Sequence, residues 1–168
     1  GHLGSDLANI LFTDWRAAYN ASTETGVKSY IRKDWVEQAT RVVREHQSVF
    51  GEENFFIEIQ LIDQENSPAA KIVGEGLRYI ARLLDVAPVA TADSHYPRKE
   101  DARDQRVLLC AAMKTTYKKM EQKIQAGENV SLSGFFKSFN YHIPSPEEIK
   151  AIHTEEEVAN AIKIADMC

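Results

Sequence analysis

The sequence predicts an α/β fold with more helix than strand, and three neighbouring segments carry that prediction. Phe55-Phe56-Ile57-Glu58-Ile59-Gln60-Leu61 is rich in aromatic and β-branched residues and too short for a helix, so it reads as a buried strand. Ser67-Pro68 places a cap and a proline where a helix favours them, ahead of the apolar series Ile72, Leu77, Ile80, Ala81 and Leu84. Pro88-Val89-Ala90-Thr91-Ala92 then reads as a second short strand. Strand, helix and strand with a connection this long predict a parallel βαβ unit and not a hairpin.

The flanking elements follow from periodicity. Ser5 is placed to cap a helix running through Leu7, Ile10, Leu11, Phe12 and Trp15, whose apolar positions recur at three and four residues. Residues 20–33 are polar and irregular and are expected to form a loop. Trp35, Val36, Ala39, Val42, Val43 and Val49 mark a second helix that Gly51 ends. Residues 101–126 supply a long helical stretch with apolar Val107, Leu108, Leu109, Ala112 and Met113. The pattern breaks at 127–133, residues 135–143 are expected to be extended, and helices at 146–152 and 154–167 close the chain, the last opened by a Thr154/Glu157 capping box. There is no internal repeat.

Length and composition set outer bounds. The 168 residues, 43% hydrophobic and 27% charged, suit one domain, with 1–126 as its strand-and-helix part and 127–168 as an extended segment plus terminal helices. A net charge of −5 argues against a surface dominated by nucleic-acid phosphate contacts, so any DNA contact is expected to be local or made elsewhere. Two cysteines give no disulfide framework, and no apolar run is long enough for a membrane span or shaped as a signal peptide, which points to the cytoplasm. The chain begins without methionine and stops on a helical pattern; both ends read as boundaries or processing products, and Gly1 as a tag remnant.

The sharpest chemical feature is Asp93-Ser94-His95. In a parallel sheet the strands' C-terminal edge carries function, and Asp93 and His95 follow directly on the second strand. A carboxylate and an imidazole one residue apart splay about a cation, and the pair suits Zn, Mn or Fe. The same residues also fit a helix cap (Asp93) and a turn hydrogen bond (His95). His2 sits in a Gly-His-Leu-Gly turn before a helix, where a loop ligand or a disordered terminal histidine would be found. Glu58, on a strand otherwise built for burial, needs a pairing, ligating or solvated role. His46, His142 and His153 read as surface or packing residues. Phosphate-loop, nucleophile-elbow, paired C-x-x-C and H-E-x-x-H patterns are absent. The Lys and Arg residues from Arg98 to Lys123 read as a solvated helix face or a local basic patch.

The run from Pro88 through Tyr96, with Glu100-Asp101-Ala102 and Val107-Leu108-Leu109-Cys110 after it, resembles P-x-V-A-T-N-D-x-H-Y, E-D-A and V-L-L-C of the PHP (polymerase and histidinol phosphatase) domain of bacterial-type, including phage-encoded, DNA polymerase III alpha subunits. Gly1 to Gly4 is similar to the family's S-G-C-L-G turn, Phe50 to Gln60 to F-G-x-x-x-F-Y-L-E-L-Q, Ser145 to Ile149 to S-P-E-E-M, and Glu156 to Cys168 to a helix ending I-A-x-x-C.

The resemblance implies a partial PHP-type β/α barrel, holding only its last strands and helices, and a metal-dependent phosphoesterase whose intact form removes nucleotides from a primer 3′ end. It implies Asp93, His95 and His2 as ligands of a divalent metal, Glu58 as a residue orienting a ligand, and the remainder of a polymerase chain, DNA and a proofreading subunit as partners. No membrane partner is expected. The family's H-x-H strand and further ligands are not in this sequence, nor is a polymerase palm, so the chain alone is expected to be inactive. Two other readings stand beside it: a non-catalytic scaffold for the polymerase, and a free-standing phosphatase of the same superfamily. A barrel without its first strands would expose sheet edges, so homo-oligomers are expected.

Overall fold

In a computed structural model, residues 5–60, 67–126 and 139–168 are described. Among them the chain is mostly helical, with one two-stranded sheet. The helices are α1 (Asp6–Leu11), α2 (Trp15–Asn20), α3 (Glu24–Lys28) and α4 (Trp35–Phe50), then, after strand β1 (Ile57–Gln60), α5 (Pro68–Leu84). Strand β2 (Pro88–Thr91) is followed by α6 (Ala102–Ala112), α7 (Tyr117–Gln125), α8 (Pro146–Ile152) and α9 (Glu155–Met167). The chain divides into two compact units, residues 1–92 with 146–168, and residues 93–145.

The first unit is built on β1 and β2, which pair in parallel from Ile57 opposite Pro88 to Gln60 opposite Thr91, as the βαβ pattern predicts. Strand alternation sends Ile57 and Ile59 into the core, both essentially inaccessible, and leaves Glu58 and Gln60 together on the other face. The connecting α5 buries Ile72, Val73, Leu77 and Ile80, a three-and-four spacing that lays one stripe against the sheet. Its start is fixed by the Ser67 hydroxyl, which accepts from the Ala70 N–H at 3.3 Å, with Pro68 in the first turn. Helix α4 contributes Ala39, Val43 and Gln47 at spacings of four, and ends where Gly51 takes φ 88°. That left-handed value is open to glycine, and a Cβ there would lie 2.8 Å from the Glu53 carboxylate.

Two expectations at the start of the chain need correction. The helix expected to run from Ser5 through Trp15 is two helices, because Phe12 leaves helical geometry to form an antiparallel bridge with Ile31. Thr13 N–H donates to Tyr30 O at 2.8 Å, and the Arg32 guanidinium donates to the carbonyls of Ile10 and Phe12, so the freed backbone groups find partners. Asp14 then caps α2 by accepting from Ala17 N–H at 3.0 Å. The loop expected at 20–33 contains α3, capped by the Thr23 hydroxyl on Gly26 N–H at 3.1 Å.

Helix α9 closes the unit by packing along β2. Its Asn160 amide donates to Pro88 O at 2.8 Å, placing a side-chain donor on a strand-edge carbonyl. The Thr154/Glu157 capping box forms as expected. Glu157 does more than cap: it is 1% exposed, and its carboxylate accepts from Arg78 Nε at 2.6 Å, Arg78 Nη2 at 2.9 Å and the Nδ1–H of buried His153 at 2.8 Å. The second guanidinium nitrogen also donates to Ile152 O at 3.0 Å, so Arg78 on α5 binds both the end of α8 and the first turn of α9.

In the second unit the long helix expected over 101–126 is broken into α6 and α7. Lys114 takes φ 52°, Thr115 N–H returns to Cys110 O at 2.9 Å, and the Thr116 hydroxyl caps α7 by accepting from Lys119 N–H. The β-branched Thr115-Thr116 pair, poor for helix interiors and good for a cap, explains the break. Of the extended stretch expected over 135–143, residues 135–138 lie outside the described residues, and His142 forms a parallel bridge with Tyr96. Leu61 of the first predicted strand, the 127–133 break and the Gly1–Gly4 turn also lie outside them.

Candidate metal centre

Asp93, Ser94 and His95 form a loop held by the segment at Tyr141–Ile143, where His142 bridges Tyr96. His95 N–H donates to Tyr141 O at 2.7 Å, Tyr96 N–H reaches the same carbonyl at 3.3 Å, and Tyr141 N–H returns to Tyr96 Oη at 3.0 Å. The Ser94 hydroxyl donates to His142 O at 3.1 Å. Tyr96 and Tyr141 are buried and, with Ala102, make a small cluster beneath the loop. The backbone on either side of His95 is therefore fixed from both directions.

This framework sets two side chains against each other. His95 Nε2 lies 3.2 Å from Asp93 Oδ1, and both side chains keep more than a third of their surface in solvent. The Tyr141 ring meets the imidazole edge-on, with centroids 5.8 Å apart, and limits its rotation. Two donor atoms bound to one tetrahedral cation at about 2.0–2.1 Å stand roughly 3.3 Å apart, so the observed separation fits a shared metal ion. It fits equally an Nε2–H···Oδ1 hydrogen bond. One oxygen and one nitrogen donor, accessible on one side, suit Zn, Mn or Fe. Among the described residues no group of three or more His, Cys, Asp or Glu converges on a metal position, so further ligands would have to join this pair.

His2 lies outside the described residues. Glu58 belongs to the first unit, where the Thr91 hydroxyl donates to its Oε1 at 2.7 Å from the neighbouring strand and Gln60 approaches at 3.4 Å. The carboxylate on a buried strand thus meets polar partners on its own sheet face. His46 is a packing residue, its Nδ1–H donating to Val42 O at 2.8 Å and its ring lying against Phe50 and Phe55. His153 is likewise structural, buried at the Glu157 carboxylate. Sequence reasoning missed Ser94, Tyr96 and Tyr141 as the residues that position the Asp93–His95 pair. Tyr141 is some 45 residues from Tyr96, and no local pattern announces that contact.

No family model matches the chain. Curated proteins do: it is 34% identical over 147 residues to "DNA polymerase III subunit alpha" of Thermus aquaticus, covering 84% of this chain and 11% of that protein. Proteins of the same name from Saccharopolyspora erythraea and Helicobacter pylori are each 29% identical, over 77% and 85% of this chain. The chain spans about a tenth of the length of these relatives. No helix among the described residues is long and apolar enough to cross a membrane. Over most of its length, then, the chain is similar in sequence to a segment of proteins named DNA polymerase III subunit alpha.

Proposed function

We propose that the chain is the later part of the PHP domain of a DNA polymerase III alpha-like protein, and that Asp93 and His95 are two ligands of a divalent metal serving phosphodiester hydrolysis at a primer 3′ end. The single observation that carries this reading is the 3.2 Å approach of His95 Nε2 to Asp93 Oδ1 on a loop fixed by Tyr96 and Tyr141. The similarity to polymerase subunits supports the DNA substrate. A bound cation would supply charge neutralisation at the phosphate and a more acidic water. Asp93 contributes the anionic donor, His95 the neutral nitrogen donor, and Tyr141 the surface that holds the imidazole in place. His2 is a further ligand in this reading, and DNA, the remainder of the polymerase chain and a proofreading subunit are its partners.

A second reading rests on a different observation. The pair is incomplete among the described residues, which favours a scaffold that has lost its chemistry. Histidine NMR of the chain during titration with Mn²⁺ separates the two. The metal reading predicts that His95 resonances, and after them the Tyr141 ring, broaden at the lowest Mn²⁺ additions, and that Asp93→Ala abolishes this selectivity. Uniform weak broadening of all five histidines, unchanged by Asp93→Ala, would leave the scaffold reading standing and overturn the metal one.

A further inference from the structure

Helix α6 has two apolar faces, and among the described residues only one of them is used. The inner face puts Ala102 and Cys110 into the second unit, the latter against Met120 and Tyr117 of α7. The outer face carries Val107 at 50% exposure and Leu108 at 72%, followed one turn later by exposed Ala111 and Ala112. At spacings of four these make a continuous stripe along the helix. Asp104, exposed in the first turn, stands at one end of the stripe, and exposed Lys114, in the turn after the helix, at the other. The stripe therefore reads acid, large apolar, small apolar, base.

We propose that this face pairs with the same face of a second copy of the chain, α6 against α6 in antiparallel orientation about a two-fold axis at the level of residue 109. In that arrangement Asp104 of each copy meets Lys114 of the other, and Val107 meets Ala111. A large side chain faces a small one and a carboxylate faces an ammonium. The two-fold axis makes every contact twice. A parallel pairing would set Asp104 beside Asp104 and Lys114 beside Lys114, so charge selects the antiparallel one. Ala111 and Ala112 allow the helix axes to approach at the close end of the usual 8–10 Å range. One helix pair of this length is small for a lasting interface, so the dimer is weak, with a dissociation constant of about 1–100 µM.

Sedimentation equilibrium of the full chain over that concentration range tests the pairing. The weight-average mass rises toward that of two chains as concentration increases. Asp104→Lys and Lys114→Asp, which each turn two attractions into two repulsions, weaken dimerisation about tenfold or more. The double variant Asp104→Lys/Lys114→Asp restores it, and Leu108→Glu removes it. Aspartate tolerates the left-handed backbone at position 114, and circular dichroism of each variant confirms folding. A chain that stays monomeric up to about 100 µM, a dimer untouched by either charge reversal, or a folded double variant that fails to recover would each overturn the proposal.

Discussion

Arg78→Met should be among the most damaging single substitutions in the first unit, and the geometry fixes why. Arg78 donates twice to the Glu157 carboxylate and once to Ile152 O, tying α5 to the α8–α9 junction. Methionine keeps most of the aliphatic stem but leaves a carboxylate that is 1% exposed with only His153 Nδ1–H and, at 3.3 Å, Thr154 N–H as donors. Breaking a buried ion pair from one side costs about 3–5 kcal/mol, a large fraction of the stability of an ordinary domain. Glu157→Gln removes the charge but keeps shape, and leaves the cation on Arg78, whose side chain retains 22% of its surface. Its cost should be smaller, about 1–3 kcal/mol.

The same pair predicts a pH dependence. Burial pushes the Glu157 carboxyl up, but hydrogen bonds from Arg78 and His153, with the guanidinium charge, outweigh it and hold the group below its ordinary range. A carboxyl depressed on folding adds stability that is fully present above its unfolded value of about 4.3 and is lost as pH falls through the lower folded value. Without Arg78 the burial is opposed by the His153 and Thr154 hydrogen bonds and no longer by a charge, and protonation relieves it. The deficit of Arg78→Met is therefore largest near pH 7 and shrinks as pH approaches about 4. Both tryptophans, Trp15 and Trp35, lie in the first unit, so urea unfolding followed by tryptophan fluorescence reads this unit. A loss below about 1 kcal/mol at pH 7, or one that does not change with pH, would refute the reasoning.

Three smaller perturbations test neighbouring claims. Asn160→Leu removes the donor to Pro88 O and should cost about 1–2 kcal/mol by the same urea assay, with no change in helix content. Gly51→Ala forces a Cβ into a left-handed turn beside Glu53 and should lower stability by about 1 kcal/mol or more, whereas an exposed mid-helix change such as Glu45→Ala should be nearly neutral. Tyr96→Phe takes away the acceptor of the Tyr141 N–H and should speed amide exchange at Tyr141 and His95 by about tenfold while leaving the first unit's exchange unchanged.

The elements with strong local signals were legible in the sequence. The Ser67-Pro68 start of α5, the Gly51 stop of α4, the Thr154/Glu157 box and the parallel pairing of β1 with β2 all follow from residue types at fixed offsets. The misread segments are those where two local signals compete. The apolar spacing of Leu11 and Trp15 argues for one helix, yet Asp14 offers a cap and Phe12 a bridge to Ile31, a partner far along the chain. Thr115-Thr116 likewise sits inside an apolar pattern that continues on both sides of the break. At the candidate site Asp93-Ser94-His95 stands out at the end of a predicted strand, but spacing alone leaves a helix cap and a turn hydrogen bond open, and it is the resemblance to polymerase sequences that implies a ligand pair. The Tyr96–Tyr141 clamp could not be picked out, and neither could the Arg78–Glu157 pair, because a contact between distant residues leaves no periodicity to read.

The central claim is that Asp93 and His95 hold a divalent metal, and the metal content of the purified chain, measured by mass spectrometry beside Asp93→Ala and His95→Ala at equal protein concentration, tests it most directly. The account predicts Zn, Mn or Fe in the parent chain and its loss in both variants. A chain that carries none, or that keeps its metal in either variant, would contradict it.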